Sequence, residues 1–101
     1  MNKADIKREI KKRLEENNRY LYIKDINYIV DETFNIIQEW LSNDEDVQIH
    51  GFGKFYTSDV RRYYGRDPQK PTNVIIVPAY KRVRFSSGKT FKSKINKGDE
   101  K

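Results

Sequence analysis

Twelve cations crowd into one stretch of this 101-residue chain. Residues 54–97 carry 12 Lys and Arg side chains against two carboxylates, Asp59 and Asp67, whereas residues 1–53 carry 8 basic and 11 acidic ones. The net charge of +6 therefore joins a strongly basic half to a mildly acidic one. A surplus kept only for solubility would be spread along the chain, so a one-sided excess points to a polyanion, nucleic acid first. Other chemistry lacks its residues. The absence of Cys excludes disulfides, thiol nucleophiles and thiolate metal sites, and the single His50 builds no imidazole cluster. The run Asp44-Glu45-Asp46 lacks the spaced ligands and central Gly of a calcium loop and reads as a solvated turn. Asp44/Asp46 and Glu15/Glu16 have no apolar walls to raise a carboxyl for acid–base work. Ser87-Gly88-Lys89-Thr90 ends like a phosphate loop, but Val83 stands where that motif needs its first glycine. These absences predict a non-enzymatic protein with no cofactor, no metal and no small-molecule substrate.

The cations are interleaved with flat and rigid apolar groups. Arg61, Arg62, Arg66 and Lys70 surround Tyr63, Tyr64 and Pro68. Charge on a ribbon also guards its edges against pairing, so a plain solvated ribbon is the ordinary alternative. The scarcity of acids favours the other reading. Minor-groove proteins lay Arg and Lys along the groove while an apolar tip residue enters a base step, and Pro68 is the natural wedge. Further along, Arg82 and Arg84 alternate with Val83 and Phe85, so one face of that strand is expected to be core and the other cationic; Lys54 has the same outward parity on the preceding strand. Lys81 joins them as a further candidate contact on the same strand.

Elements that position them follow from periodicity. Asn2 and Asp5 mark a capping-box helix start, Ile6, Ile10 and Leu14 form a narrow stripe, and the Glu15–Arg19 stretch ends it. From Ile23 to Leu41, apolar residues at steps of three and four predict an amphipathic helix, packed on the chain's own sheet or shared between two copies. With only 36% apolar residues, sharing is the preferred expectation. Val47 to His50 alternate as a strand, and Gly51-Phe52-Gly53 is expected to turn tightly with both glycines free to take positive φ and Phe52 in the core. Strands from Lys54 and from Val74 to Phe85 flank a Gly/Pro/Asn turn, which predicts a long hairpin arm over about 57–82. Lys89 to Asn96 form a short basic helix, with Ser86 or Ser87 as its N-cap, before a charged tail at 97–101. The length allows one domain, 1–96, and no apolar run suits a membrane span or signal peptide, so a cytoplasmic protein is expected.

Met1-Asn2-Lys3, Gly51-Phe52-Gly53-Lys54-Phe55, Gly65-Arg66-Asp67-Pro68-Gln69, Pro78-Ala79 and Phe85-Ser86-Ser87-Gly88-Lys89, in this order, resemble the bacterial HU and integration host factor proteins. The resemblance spans residues 1 to about 96. It implies an α+β fold: an intertwined dimer with a helical base, small antiparallel sheets and long β-hairpin arms. It further implies a nucleoid-associated, DNA-bending homodimer with double-stranded DNA as partner. Family roles fall on Arg66 and Pro68 at the arm tip and on Lys3, Lys89 and Lys92 as phosphate contacts. Lys54, Arg61, Arg62, Lys70, Lys81, Arg82 and Arg84 are added from face and charge alone. Asp67 stands where the family usually has Asn and brings an anion to the tip, while Gln69–Asn73 lengthen the turn and Tyr63-Tyr64 replace common basic positions. A dimeric protein-interaction scaffold and an RNA-binding protein are the alternatives sharing this charge footprint.

Overall fold

A computed structural model describes residues 1–97; residues 98–101, which make up most of the expected tail, lie outside the described residues. The chain divides into two compact units, Met1–Glu39 and a second beginning at Trp40. Two helices, α1 (Lys3–Glu16) and most of α2 (Ile23–Ser42), make the first. The second holds β1 (Val47–Ile49), β2 (Gly53–Val60), β3 (Tyr63–Arg66), β4 (Val74–Val77), β5 (Tyr80–Ser87) and α3 (Lys89–Ile95). The α+β class expected from the sequence is the one observed.

Local chemistry explains where the helices begin and end. Asn2 Oδ1 accepts from the Asp5 amide at 3.2 Å and Asp5 Oδ2 accepts from the Asn2 amide at 2.8 Å, so two otherwise unpaired N–H groups are satisfied reciprocally. Both long helices stop by the same device. After α1, Asn18 takes φ 59°, the Arg19 amide bonds Leu14 O at 2.7 Å and the Asn18 amide bonds Glu15 O at 3.1 Å. After α2, Asp44 takes φ 63°, the Glu45 amide bonds Trp40 O at 2.9 Å and the Asp44 amide bonds Leu41 O at 3.1 Å. This double bond around a left-handed residue closes the last turn, with Asn and Asp standing in for the usual glycine.

The strands form an antiparallel three-stranded sheet in the order β1-β2-β5 and a two-stranded ribbon of β3 and β4. Val60 pairs with Tyr80 and Tyr63 with Val77, so the register is the same on both sides of the gap. One long hairpin therefore runs from Gly53 to Ser87, interrupted where Arg61-Arg62 face Pro78-Ala79. Proline has no amide hydrogen to donate to a ladder, which accounts for the interruption that the expected continuous hairpin did not contain.

Three other expectations need correction. Gly51 takes φ 79°, but Gly53 does not take positive φ. Space is what fixes Gly53: a Cβ there would lie 2.5 Å from Ser86 O and 2.6 Å from Phe85 Cζ. Phe52 is not buried in the core of the single chain; it stays 40% exposed, stacked on Phe91 at 5.0 Å and tilted against Phe85 at 5.2 Å. Nor does Ser86 or Ser87 cap α3: Gly88 occupies the N-cap without a side-chain bond, because β5 runs through Ser87.

Apolar burial is thin. Among the described residues only Ile26, Val30, Leu41 and Val47 are buried apolar side chains, while Ile29, Phe34, Trp40, Val83 and Ile95 are exposed. The β5 face expected to be core is open, with Val83 63% exposed.

Candidate nucleic-acid interface

The register sorts the cations of the sheet by face. Side chains of directly opposed residues share a face, and successive residues alternate. Lys54 opposite Ser86, Tyr56 opposite Arg84 and Ser58 opposite Arg82 form one face; Phe55 opposite Phe85, Thr57 opposite Val83 and Asp59 opposite Lys81 form the other. Lys54, Arg82 and Arg84 are thus brought together. Arg84 Nε donates to Ser58 Oγ at 3.1 Å, and Lys54 Nζ lies 5.5 Å from the centre of the Tyr56 ring. Both contacts hold long side chains against the sheet, with the cations still exposed to solvent.

Lys81 stands apart. It lies on the phenylalanine face and pairs with Asp44, which raises its ammonium pKa above the ordinary 10.5, the Asp44 hydrogen bond being the main cause. Asp46 approaches Lys54 at 3.6 Å. The acidic turn that the sequence presents as merely solvated therefore touches two of the candidate cations. For the Lys54 contact alone, the turn's position directly before β1 was the available signal, because β1 pairs with the strand carrying Lys54.

Beyond the interruption, Arg61 and Arg62 are exposed at the break itself. The tip is folded by its own side chains. Asp67 Oδ1 accepts from the Gln69 amide at 2.9 Å, the Asp67 amide donates to Asn73 O at 3.1 Å, and Arg66 Nη1 donates to Pro71 O at 3.0 Å. An Asp bonding the amide two residues on is a turn-forming device, so Asp67 shapes the tip as well as bringing charge to it. Pro68 and Lys70 are exposed on the resulting turn. Gly65 sits on the ribbon face of Tyr63, Ile75 and Val77, whose side chains lie 3.7–3.9 Å from where its Cβ would be.

Lys89 and Lys92 are exposed on α3, as is Lys94, a cation the candidate set omitted although it extends the same basic run. α3 is anchored to the sheet where the Gly88 amide donates to Phe52 O at 2.9 Å. In the helical unit, Lys3 lies 3.0 Å and Lys7 2.9 Å from Asp31 Oδ1. These two ammonium groups, Lys7 foremost, hold the Asp31 carboxyl below its ordinary 3.8. Lys3 is thus occupied by a carboxylate in the structure. Among the described residues no group of three or more His, Asp and Glu side chains is placed to hold a metal ion, and no helix is long and apolar enough to cross a membrane.

A family model described as bacterial DNA-binding protein matches residues 1–96. The chain belongs to this family. Relatives named HU include the protein from a Synechocystis species, which is 28% identical over 96 residues, covering 94% of this chain and 95% of its own length. HU-1 of Halalkalibacterium halodurans is 30% identical over 95 residues, covering 94% and 99%. Among solved structures, an Anabaena HU–DNA cocrystal structure superposes with a TM-score of 0.81 at 25% identity, covering 95% of this chain and 98% of the other. A mutant HU from Thermotoga maritima shares the fold with a TM-score of 0.63 at 24% identity, over 95% and 100% of the two chains. The HU resemblance carried by the glycine–phenylalanine turn and the Arg-Asp-Pro tip is therefore correct, and so is the fold class it implied.

Proposed function

We propose that the protein is a non-enzymatic architectural DNA-binding protein of the cytoplasmic nucleoid, a homodimer whose hairpin arms enter the minor groove and bend or compact DNA with little sequence preference. The observation that carries this reading is the gathering of Lys54, Arg82 and Arg84 on one sheet face at the root of a hairpin that continues through Arg61 and Arg62 to a tip bearing Arg66, Pro68 and Lys70. The sheet face neutralises phosphates, the hairpin follows the groove, and Pro68 wedges a base step. Lys89 and Lys92 extend the phosphate contacts from α3. Lys3 joins them once DNA draws it from Asp31, whereas Lys81, on the other face, serves to hold the acidic turn. Family membership and a DNA cocrystal of a protein with the same fold support duplex DNA as the partner.

The dimer rests on the apolar surface. Among the described residues only four apolar side chains are buried, a thin core when burial of apolar surface is the main favourable term in folding. Exposed Phe34 and Trp40 on α2, and Val83 and Phe85 on β5, supply what a second copy would cover. Electrophoretic shifts with intact duplex, nicked duplex and double-stranded RNA test the function. Tightest binding to nicked duplex is expected, since a deformable site costs less to bend. Preference for RNA, or indifference to all three, would overturn the reading.

A further inference from the structure

His50, the chain's only histidine, stands at the corner between β1 and β2. The Phe52 amide donates to Ile49 O at 3.0 Å, and Gly51 takes φ 79° as the third residue of this turn, which leaves His50 exposed in the second position. The turn is one wall of an open cleft of about 340 Å³ whose other walls are β2, the end of β5 and the start of α3. Gln48, His50, Lys54, Ser86, Lys89 and Thr90 line it, and among the described residues no carboxylate does. Register explains the grouping: Gln48 opposes Lys54 and Lys54 opposes Ser86, so the three share one face, and His50 follows two residues after Gln48. That face is the one bearing Arg82 and Arg84, so the cleft continues it. The Gly88 amide is engaged by Phe52 O, which leaves side chains to define what the cleft can hold.

We propose that this cleft seats a phosphate of the bound duplex with His50, as imidazolium, among its ligands, so that the protein takes up a proton when it binds DNA. This rests on the DNA-binding reading above. Donors dominate the cleft: two ammonium groups, two hydroxyls, a side-chain amide and an imidazole. Their complement is a negative group with several acceptor oxygens, and the duplex backbone presents one at every nucleotide. Imidazole is the side chain that changes charge between about pH 5 and 8, and an opposite charge within about 4–6 Å favours its charged form. The charged groups sharing the cleft with His50 are Lys54 from β2 and Lys89 from α3; Asp46 reaches Lys54 at 3.6 Å without lining the cleft. A phosphate seated between the two ammonium groups is therefore the anion that draws a proton onto His50.

The test measures affinity for a short duplex from pH 8 to pH 5 at fixed ionic strength, for the wild type, His50→Gln and His50→Lys. The position is exposed at a turn corner, so both variants are expected to fold. A phosphate that favours the charged imidazole about tenfold tightens wild-type binding by about tenfold per chain as pH falls across this range. His50→Gln, with no charge to gain, should lose that rise, and His50→Lys, charged throughout, should stay flat at the tighter end. Because α-amino groups also titrate here, the readout is the difference between wild type and variants. Calorimetry in buffers of different ionisation enthalpy counts the proton directly: the wild type should take up more than His50→Gln. A phosphate ligand also makes the wild-type salt slope steeper at pH 5 than at pH 8 by about 0.9 per chain. A wild-type pH profile or proton count matching His50→Gln, a salt slope indifferent to pH, or His50→Lys binding more weakly than His50→Gln at pH 8 would each overturn the phosphate seat while leaving DNA binding intact. A wild type that ignores the duplex at every pH would overturn both.

Discussion

Replacing Lys54, Arg82 and Arg84 together by Gln removes the cations of one sheet face and leaves Lys81 on the other. Each phosphate neutralised contributes about 0.9 to the slope of log K against log salt, so losing three contacts per copy makes the slope shallower by about 2.7, and by about 5.4 for a homodimer. Lys81→Gln removes the same charge from the opposite face, where the ammonium already engages Asp44, and should change the slope by less than about 1. The polar and ring contacts of Arg84 and Lys54 reach Ser58, Tyr56 and Asp46, all at partly exposed positions, and Arg82 is itself exposed, so the triple variant is expected to keep its fold, with circular dichroism as the check. Fluorescence anisotropy on a short labelled duplex at five or six salt concentrations gives the slopes. If Lys81→Gln flattens the slope as much per residue as the triple variant does, sorting the cations by strand parity is wrong.

At the tip, Pro68→Ala should reduce the bend angle more than the affinity, while Asp67→Asn, which keeps an oxygen to accept from the Gln69 amide, should tighten binding at low salt without altering the bend. Energy transfer across a doubly labelled duplex measures both. Asp31 is held below its ordinary 3.8 by Lys7 and Lys3, and Asp5 by the Asn2 amide and then Arg8. The unfolded chain therefore binds more protons than the folded one near and below pH 3.8, so this stability is fully present above that value and lost as pH falls through the lower folded values. Asp31→Asn should flatten the acid side of a melting-temperature profile. Gly53→Ala forces a methyl group against Ser86 O and the Phe85 ring, and should cost about 1–3 kcal/mol in chemical denaturation if the strands relax around it.

Much of the architecture was legible because its signals are local. Asn2 and Asp5 announced the start of α1, and the three–four spacing bounded α2 to within a residue. What escaped depends on residues far apart in sequence. The break opposite Pro78 becomes visible only when register places Arg61 and Arg62 beside it. Asp44 and Lys81 are separated by 37 positions, and nothing in either neighbourhood announces that they meet. The role of Gly53 likewise comes from Phe85 and Ser86 on another strand, not from its own backbone. The face of Lys81 is a different matter: it shares parity with Val83 and Phe85, so its placement on their side of the sheet was readable from strand alternation. The open phenylalanine face is the converse, since alternation marks a face to be covered without saying that a second chain must cover it.

The account stands on two copies clasping one another and curving a duplex between their arms. Its most direct measurement is end-to-end energy transfer across a double-labelled duplex of about 30 bp, titrated with the wild-type protein at low salt. The expected result is a large rise in transfer that saturates at two chains per duplex. An unchanged end-to-end distance once the duplex is fully bound, or saturation at a single chain, would contradict it.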